Sequence, residues 1–232
     1  MFSNRNFYSI VYIIVFIFLS IAGHTQHIYR LGWLPQINTS ISLKNDWKLT
    51  TELENRIMVM EGPQSHFTNN RSRLERTDLE SVLTKKIGAR GTAGAGYLVR
   101  FEDGFFIHRF IQQYSLVQSL SGMRLAHRFR TDQTLDQNES PSYRGRYRIG
   151  IEKALNGQSI DPREWYLKIT NEYLGIWQSD DFNLDIRGLA VAGYMISDKF
   201  QCEIGIDYRA EELLSTDKEH LFLLSMTWYS NF

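Results

Sequence analysis

The chain has 232 residues, 43% hydrophobic and 22% charged, a size and apolar share that suit one folded domain or at most two. Its 26 basic and 26 acidic side chains leave no net charge, which argues against a nucleic-acid partner. Cys202 is the only cysteine, so neither a disulfide framework nor a thiolate metal site holds the chain together.

The first 26 residues, "MFSNRNFYSIVYIIVFIFLSIAGHTQ", stand apart. One basic residue, Arg5, precedes an apolar run from Tyr8 to Ala22, and small and polar residues follow. Those are the three parts of a secretory signal, cut after Ala22 or nearer Gln26, and residues 1–25 are assigned to it. A retained anchor is the competing reading. It fits less well, because a spanning helix needs about 20 apolar residues and no basic stop follows. Residues 26–232 are expected to form the folded domain.

From there the dominant signal has period two. Ile37, Thr39, Ile41 and Leu43 interleave with Gln36, Asn38, Ser40 and Ser42. After the turn "KND", Trp47, Leu49, Thr51, Leu53, Asn55 and Ile57 alternate with Lys48, Thr50, Glu52, Glu54 and Arg56. Successive side chains of a strand point to opposite faces, so these are strands. Weaker strands are predicted over Arg71–Lys86, Thr92–Glu102, Phe105–Leu120, Met123–Asp132 and Trp165–Tyr173, the first with the poorest alternation. The glycines of "GTAGAGY" (Gly91, Gly94, Gly96) fall inside a strand and mark close backbone approach rather than a phosphate loop.

Alternation is clearest in Tyr143–Lys153, Phe182–Ile196 and Phe200–Glu211, with the tight turn "SDK" between the last two. Tyr147, Ile149 and Ile151 oppose Arg144, Arg146, Arg148 and Glu152; Ile204, Ile206 and Tyr208 oppose Glu203, Asp207 and Arg209. The last segment, "LFLLSMTWYSNF", sets Phe222, Leu224, Met226, Trp228 and Phe232 against Leu221, Leu223, Ser225 and Thr227.

Several of these strands reach ten residues or more, where soluble strands average about 5–6 and membrane-crossing strands need about 9–11. Short turns ("KND", "SDK") contrast with the longer hydrophilic "MEGPQSHFTNN", "QTLDQNESPS" and "LLSTDKE", as at the two ends of an outer-membrane barrel. Period two does not say which face is inside. A soluble ligand-binding barrel would bury the apolar ladder, and a membrane barrel inverts it. Dense charges of both signs on the polar ladders, aromatics near strand ends (Trp33, Trp47, Trp165, Phe182, Tyr194, Phe200, Trp228) and the export signal favour inversion. An arginine facing lipid at mid-membrane costs about 2–4 kcal/mol, and the shared parity of Arg144, Arg146 and Arg148 removes all three from that face.

The expected fold is therefore all-β: a closed antiparallel up-and-down transmembrane barrel of about 10–12 strands. About eleven strands can be counted, whereas an even number is expected, twelve before ten: either "HIYRLGWLPQ" adds a short strand or a lumen segment, or one of the long strands is two. The expected lumen charges are Glu52, Glu54, Arg56, Arg128, Arg144, Arg146, Arg148, Glu152, Glu203, Asp207 and Arg209. Arg100, Arg124, Arg130, Asp185 and Arg187 share their parity.

From "LGWLPQINTSISLKNDWKLTTELENR" through "HRFIQQYS", "RLAHRFR" and "YRGRYRIGIE" to the terminal Phe, the chain resembles a family of uncharacterised Gram-negative outer-membrane barrels catalogued as a conserved domain of unknown function. The resemblance implies outer-membrane location and fold, and no reaction. The final strand, through Trp228 and Phe232, resembles the signal read by the barrel assembly machinery. Partners are then outer-membrane lipid, that machinery and a small solute, with no cofactor.

No catalytic or metal constellation stands out. His108 shares a face with Phe106 and Phe110, and His127 with Leu125 and Phe129, so both read as girdle residues. No H-E-x-x-H or C-x-x-C occurs. The expected function is structural, or conduction of a small anionic solute drawn by the Arg144–Arg148 run through a charged, largely filled lumen. A lipid-modifying hydrolase and a soluble periplasmic ligand-binding barrel are the alternatives.

Overall fold

The computed structural model describes residues 27–63, 72–136 and 139–232. The signal-peptide reading, on residues 1–25, lies outside them. Eleven strands follow one another: β1 (His27–Ser42), β2 (Trp47–Pro63), β3 (Arg73–Ile87), β4 (Gly91–Glu102), β5 (Phe105–Leu120), β6 (Met123–Leu135), β7 (Ser142–Ala154), β8 (Glu164–Gln178), β9 (Asp181–Met195), β10 (Phe200–Glu211) and β11 (Lys218–Asn231). Each pairs antiparallel with its neighbours in the chain, and β11 closes on β1 to complete a barrel. Among the described residues there is no α-helix.

The closure corrects one expectation. The strand number is odd, so β1 and β11 run the same way and the seam is parallel, from His27 opposite Lys218 to Ser40 opposite Asn231. The "HIYRLGWLPQ" segment adds no strand of its own, because it is the first part of β1. Two irregularities let β1 run on past it. A register shift falls between Leu31 and Gly32 against β2, and a Cβ on Gly32 would stand 2.5 Å from the Ile57 carbonyl oxygen, so only glycine allows this approach. Three residues on, Pro35 has no N–H to give, and β1 resumes pairing with β2 at Gln36. The seam is tied at its far end as well: Phe232 N donates to Ser40 O at 2.8 Å, and Ser42 N to Phe232 O at 2.6 Å.

The up-and-down course brings the last residues of β2, β6 and β10 to one end of the barrel, here termed the loop end, and the turns after β1 and β9 to the other. The three hydrophilic segments singled out in the sequence each follow one of those three strands. The separation is incomplete, because the tight Asp103–Gly104 turn is also there and the longer 155–163 connection lies opposite. Asn45 and Asp46 both take positive φ (59° and 63°), the conformation that matches the twist of a two-residue hairpin.

Polarity is inside out. Facing outward are Ile37, Leu53, Leu79, Phe110, Ile151, Ile169, Ile204, Ile206 and Met226, and all five tryptophans, Trp33, Trp47, Trp165, Trp177 and Trp228. Facing inward and buried are Arg56, Asp78, Arg109, Arg130, Asp132, Glu172, Asp185, Glu203 and Arg209. An apolar cluster of Leu34, Met58, Leu221 and Leu223 backs the seam from within. Gly94 and Gly96 behave as their strand position predicts: a Cβ on either would stand 2.5 Å or 2.7 Å from the carbonyl oxygen of Leu83 or Ser81.

Candidate functional site: an ionic lumen beneath a vestibule

A barrel of eleven strands is narrow, and here long side chains of both signs fill it. The centre is a continuous network. Arg130, on β6, reaches past β5 and β4 to grip both carboxylate oxygens of Glu80 on β3, at 2.8 and 2.7 Å. Its Nε donates to Asp132 at 2.6 Å, and Asp132, 0% exposed, also accepts from Arg146 at 3.2 Å. Arg146 continues to Glu172 at 2.9 Å, which takes Arg148 at 2.6 Å and stands 3.6 Å from Arg128. Arg100 clasps Asp78 with two bonds of 2.8 Å. A neighbouring cluster gathers on Glu203, which accepts from Tyr166 at 2.7 Å, Tyr229 at 3.0 Å and the Lys168 ammonium. Buried charges are tolerated when each has a partner; the central carboxylates Asp132 and Glu172 each meet more than one guanidinium, whereas Arg128 Nε and Arg144 Nε are buried without a hydrogen-bond partner.

Nine of the eleven expected lumen charges line one inner cavity of about 270 Å³: Glu52, Glu54, Arg128, Arg144, Arg146, Arg148, Glu203, Asp207 and Arg209. Arg56 is buried beside Glu75 at 3.4 Å, and Glu152 sits near the turn end, paired at 3.0 Å with the exposed Arg124. Reasoning from parity missed Glu75, Arg76, Asp78, Glu80, Arg109, Asp132, Lys168 and Glu172. For β3 the cause is a bulge. The register shifts opposite Arg56 and Ile57, so the adjacent Glu75 and Arg76 both avoid the exposed outer face. For Arg109, Asp132 and Glu172 the signal was present, since each lies on the parity opposite the outward ladder of its strand, Phe106 and Phe110 on β5, Phe129 on β6, Ile169 and Tyr173 on β8.

Above the inner cavity, toward the loop end, the barrel widens into a vestibule of about 860 Å³. Arg100, Arg109 and Arg144 line both spaces and so form the boundary between them. The vestibule walls carry Glu102, Asp103, Asp136, Asp181 and Glu212. Burial and the nearby Glu219, Asp185, Glu211 and Asp217 carboxylates raise the Glu212 carboxyl above its ordinary value.

The arginine run divides. Arg146 and Arg148 are engaged by Asp132 and Glu172, whereas Arg144 donates to the Thr134 hydroxyl at 2.8 Å. Three histidines, His108, His127 and His220, stand on the outer wall in a repeated arrangement. His108 Nδ1 meets the Tyr97 hydroxyl at 2.6 Å, His127 Nδ1 that of Tyr147 at 2.9 Å, and His220 Nδ1 that of Tyr208 at 2.8 Å. In each case a phenylalanine two residues beyond the histidine (Phe110, Phe129, Phe222) lies directly across from the tyrosine. The "HRF", "HRF" and "HLF" triplets were visible in the sequence, and their tyrosine partners were not. Trp228 and Phe232 are both outward and exposed, each against Phe200 at 6.1 Å between ring centroids. Among the described residues no group of three metal-ligating side chains converges.

Residues 32–220, nearly the whole barrel, match a family described as a protein of unknown function, DUF2490. The chain belongs to the DUF2490 family. Its matched region begins within β1 and ends within β11, so the family domain and the barrel coincide. No curated protein and no solved structure matches the chain.

Proposed function

We propose that this DUF2490 chain is an integral outer-membrane barrel, held closed in its resting state by its own ion pairs, with a structural or solute-holding role rather than that of an open pore. The observation that carries the reading is the inverted polarity: Ile151, Ile169, Ile204 and Ile206 outside, Asp132, Glu172 and Arg130 within. In water such an exterior would be a large unpartnered apolar surface; against acyl chains it is the favourable face, and a closed barrel leaves no strand edge unsatisfied there. Strands of 12 to 17 residues exceed the length that a tilted crossing needs. Phe101, Trp165, Trp177, Phe182 and Trp228 near strand ends suit the interfacial belts. β11, with Trp228 and Phe232 outward, is the element we assign to the barrel assembly machinery.

Fractionation of cells exporting the protein tests the location. The reading expects it in outer membranes, extracted only by detergent and migrating differently on gels before and after boiling. Recovery from the periplasm without detergent would return the case to a soluble ligand-binding barrel. In planar bilayers the filled lumen predicts little steady ion conductance. His108 and His127, the histidines weighed for a hydrolase, meet the Tyr97 and Tyr147 hydroxyls, and release of fatty acid from phospholipid by the refolded protein would move the case to that reading.

A further inference from the structure

Arg109 on β5 and Arg144 on β7 differ from the arginines below them. Arg100, Arg130, Arg146, Arg148 and Arg209 each meet a carboxylate at 3.0 Å or closer. Arg109 and Arg144 form no ion pair among the described residues and converge on one hydroxyl, Thr134 Oγ1, at 3.0 and 2.8 Å. Arg109 is only 4% exposed, and Arg144 Nε is buried without a partner. Two like charges held together with most of their surface buried are costly unless something neutralises them. Both stand at the base of the vestibule, which opens at the loop end and is large enough for a small solute.

We propose that Arg109, Arg144 and Thr134 bind the carboxylate or phosphate group of a small free solute entering this vestibule. Guanidinium N–H groups suit the paired oxygens of either anion. Thr134, which accepts from both arginines, keeps its own proton to donate to a third oxygen. The acidic wall above, including Glu102, Asp103 and Glu212, selects by repulsion: polyanions are turned away, and a solute with a single anionic group beside neutral or cationic parts is admitted. The site narrows the solute class of the preceding section and rests on that reading only for the side from which the vestibule is reached.

The test is calorimetric titration of inorganic phosphate and of acetate into the detergent-folded barrel, its fold first verified by heat-modifiable migration. Saturable binding is expected, weakened about tenfold or more by Arg144→Gln and by Thr134→Val. Arg124→Gln, an exposed position near the opposite end, should leave it unchanged. Arg144→Lys, which keeps the charge and loses the fork, should fall between. If Arg109→Gln does not fold, the Arg144 and Thr134 variants still decide. Two results overturn the site: no saturation by either anion in barrels of verified fold, or equal weakening by Arg124→Gln. A third overturns the free-solute assignment, namely phosphate binding that is seen in detergent and disappears in vesicles of phosphatidylglycerol or of phosphatidylcholine, because a lipid phosphodiester would then be the occupant. A chain that proved soluble without detergent would overturn the membrane reading alone, and the same titration in buffer would still judge the site.

Discussion

Tyr166 lies flat across Gly193, its directly opposite partner on β9, and its hydroxyl reaches Glu203 one strand further on. A Cβ on Gly193 would stand 2.1 Å from the ring, so the tyrosine can hold that carboxylate only because β9 offers bare backbone. Gly193→Ala should therefore cost about 1–3 kcal/mol through overpacking. The cost should shrink markedly when Tyr166→Ala is already present, a non-additivity that a double-mutant cycle in urea would read. Glycine and tyrosine are each unremarkable in the sequence. Their pairing is not legible there, since it depends on which residues the register sets opposite. Asp132 gives a second case. Alternation assigns it to the polar face, but not to a place between Arg130 and Arg146. Asp132→Ala is expected to cost about 3 kcal/mol, because it leaves two buried cations each short of an anion. Glu152→Gln, which breaks the exposed pair with Arg124, should stay within about 1 kcal/mol. Midpoints of the heat-modifiable transition would compare the two.

At the scale of the strand, period two is a strong signal where nothing interrupts it. β5 and β10 have the bounds that alternation predicts, Phe105–Leu120 and Phe200–Glu211. β3 was harder, because a bulge near its start changes the phase: Leu74 and Leu79 both face out, five residues apart, with Glu75 and Arg76 between. A ladder carried through at fixed parity misassigns the residues on one side of the bulge. β1 hid its length for a related reason, since Gly32 and Pro35 look like a break and instead accommodate a shift of register. Where the phase is clean, the outward ladder yields a sharp expectation. Ile204→Arg should lower folding stability in vesicles by about 2–4 kcal/mol, as a charge on the lipid face does. On a surface bathed in water the same change would fall within about 0.5 kcal/mol.

At the scale of the molecule, barrel closure and inverted polarity were both anticipated from the alternation of charge and apolar residues, whereas the odd strand number was not. Parity is a global property, and one more or one fewer strand changes no local pattern. The consequence is physical all the same: the seam is parallel, stiffened from within by Leu34, Leu221 and Leu223, and His27 and Phe232 lie at opposite ends of the cylinder. The same global geometry turns one end into an arginine-floored vestibule, which sequence reasoning approached through Arg144 but could not separate from the paired Arg146 and Arg148. All of this is set on one assignment, that the outer wall meets lipid. The five outward tryptophans report on it directly. In reconstituted vesicles, lipids brominated along the acyl chain should quench the tryptophan emission strongly while aqueous iodide quenches it little. Strong iodide quenching with no effect of the brominated chains would place that wall in water and contradict the account.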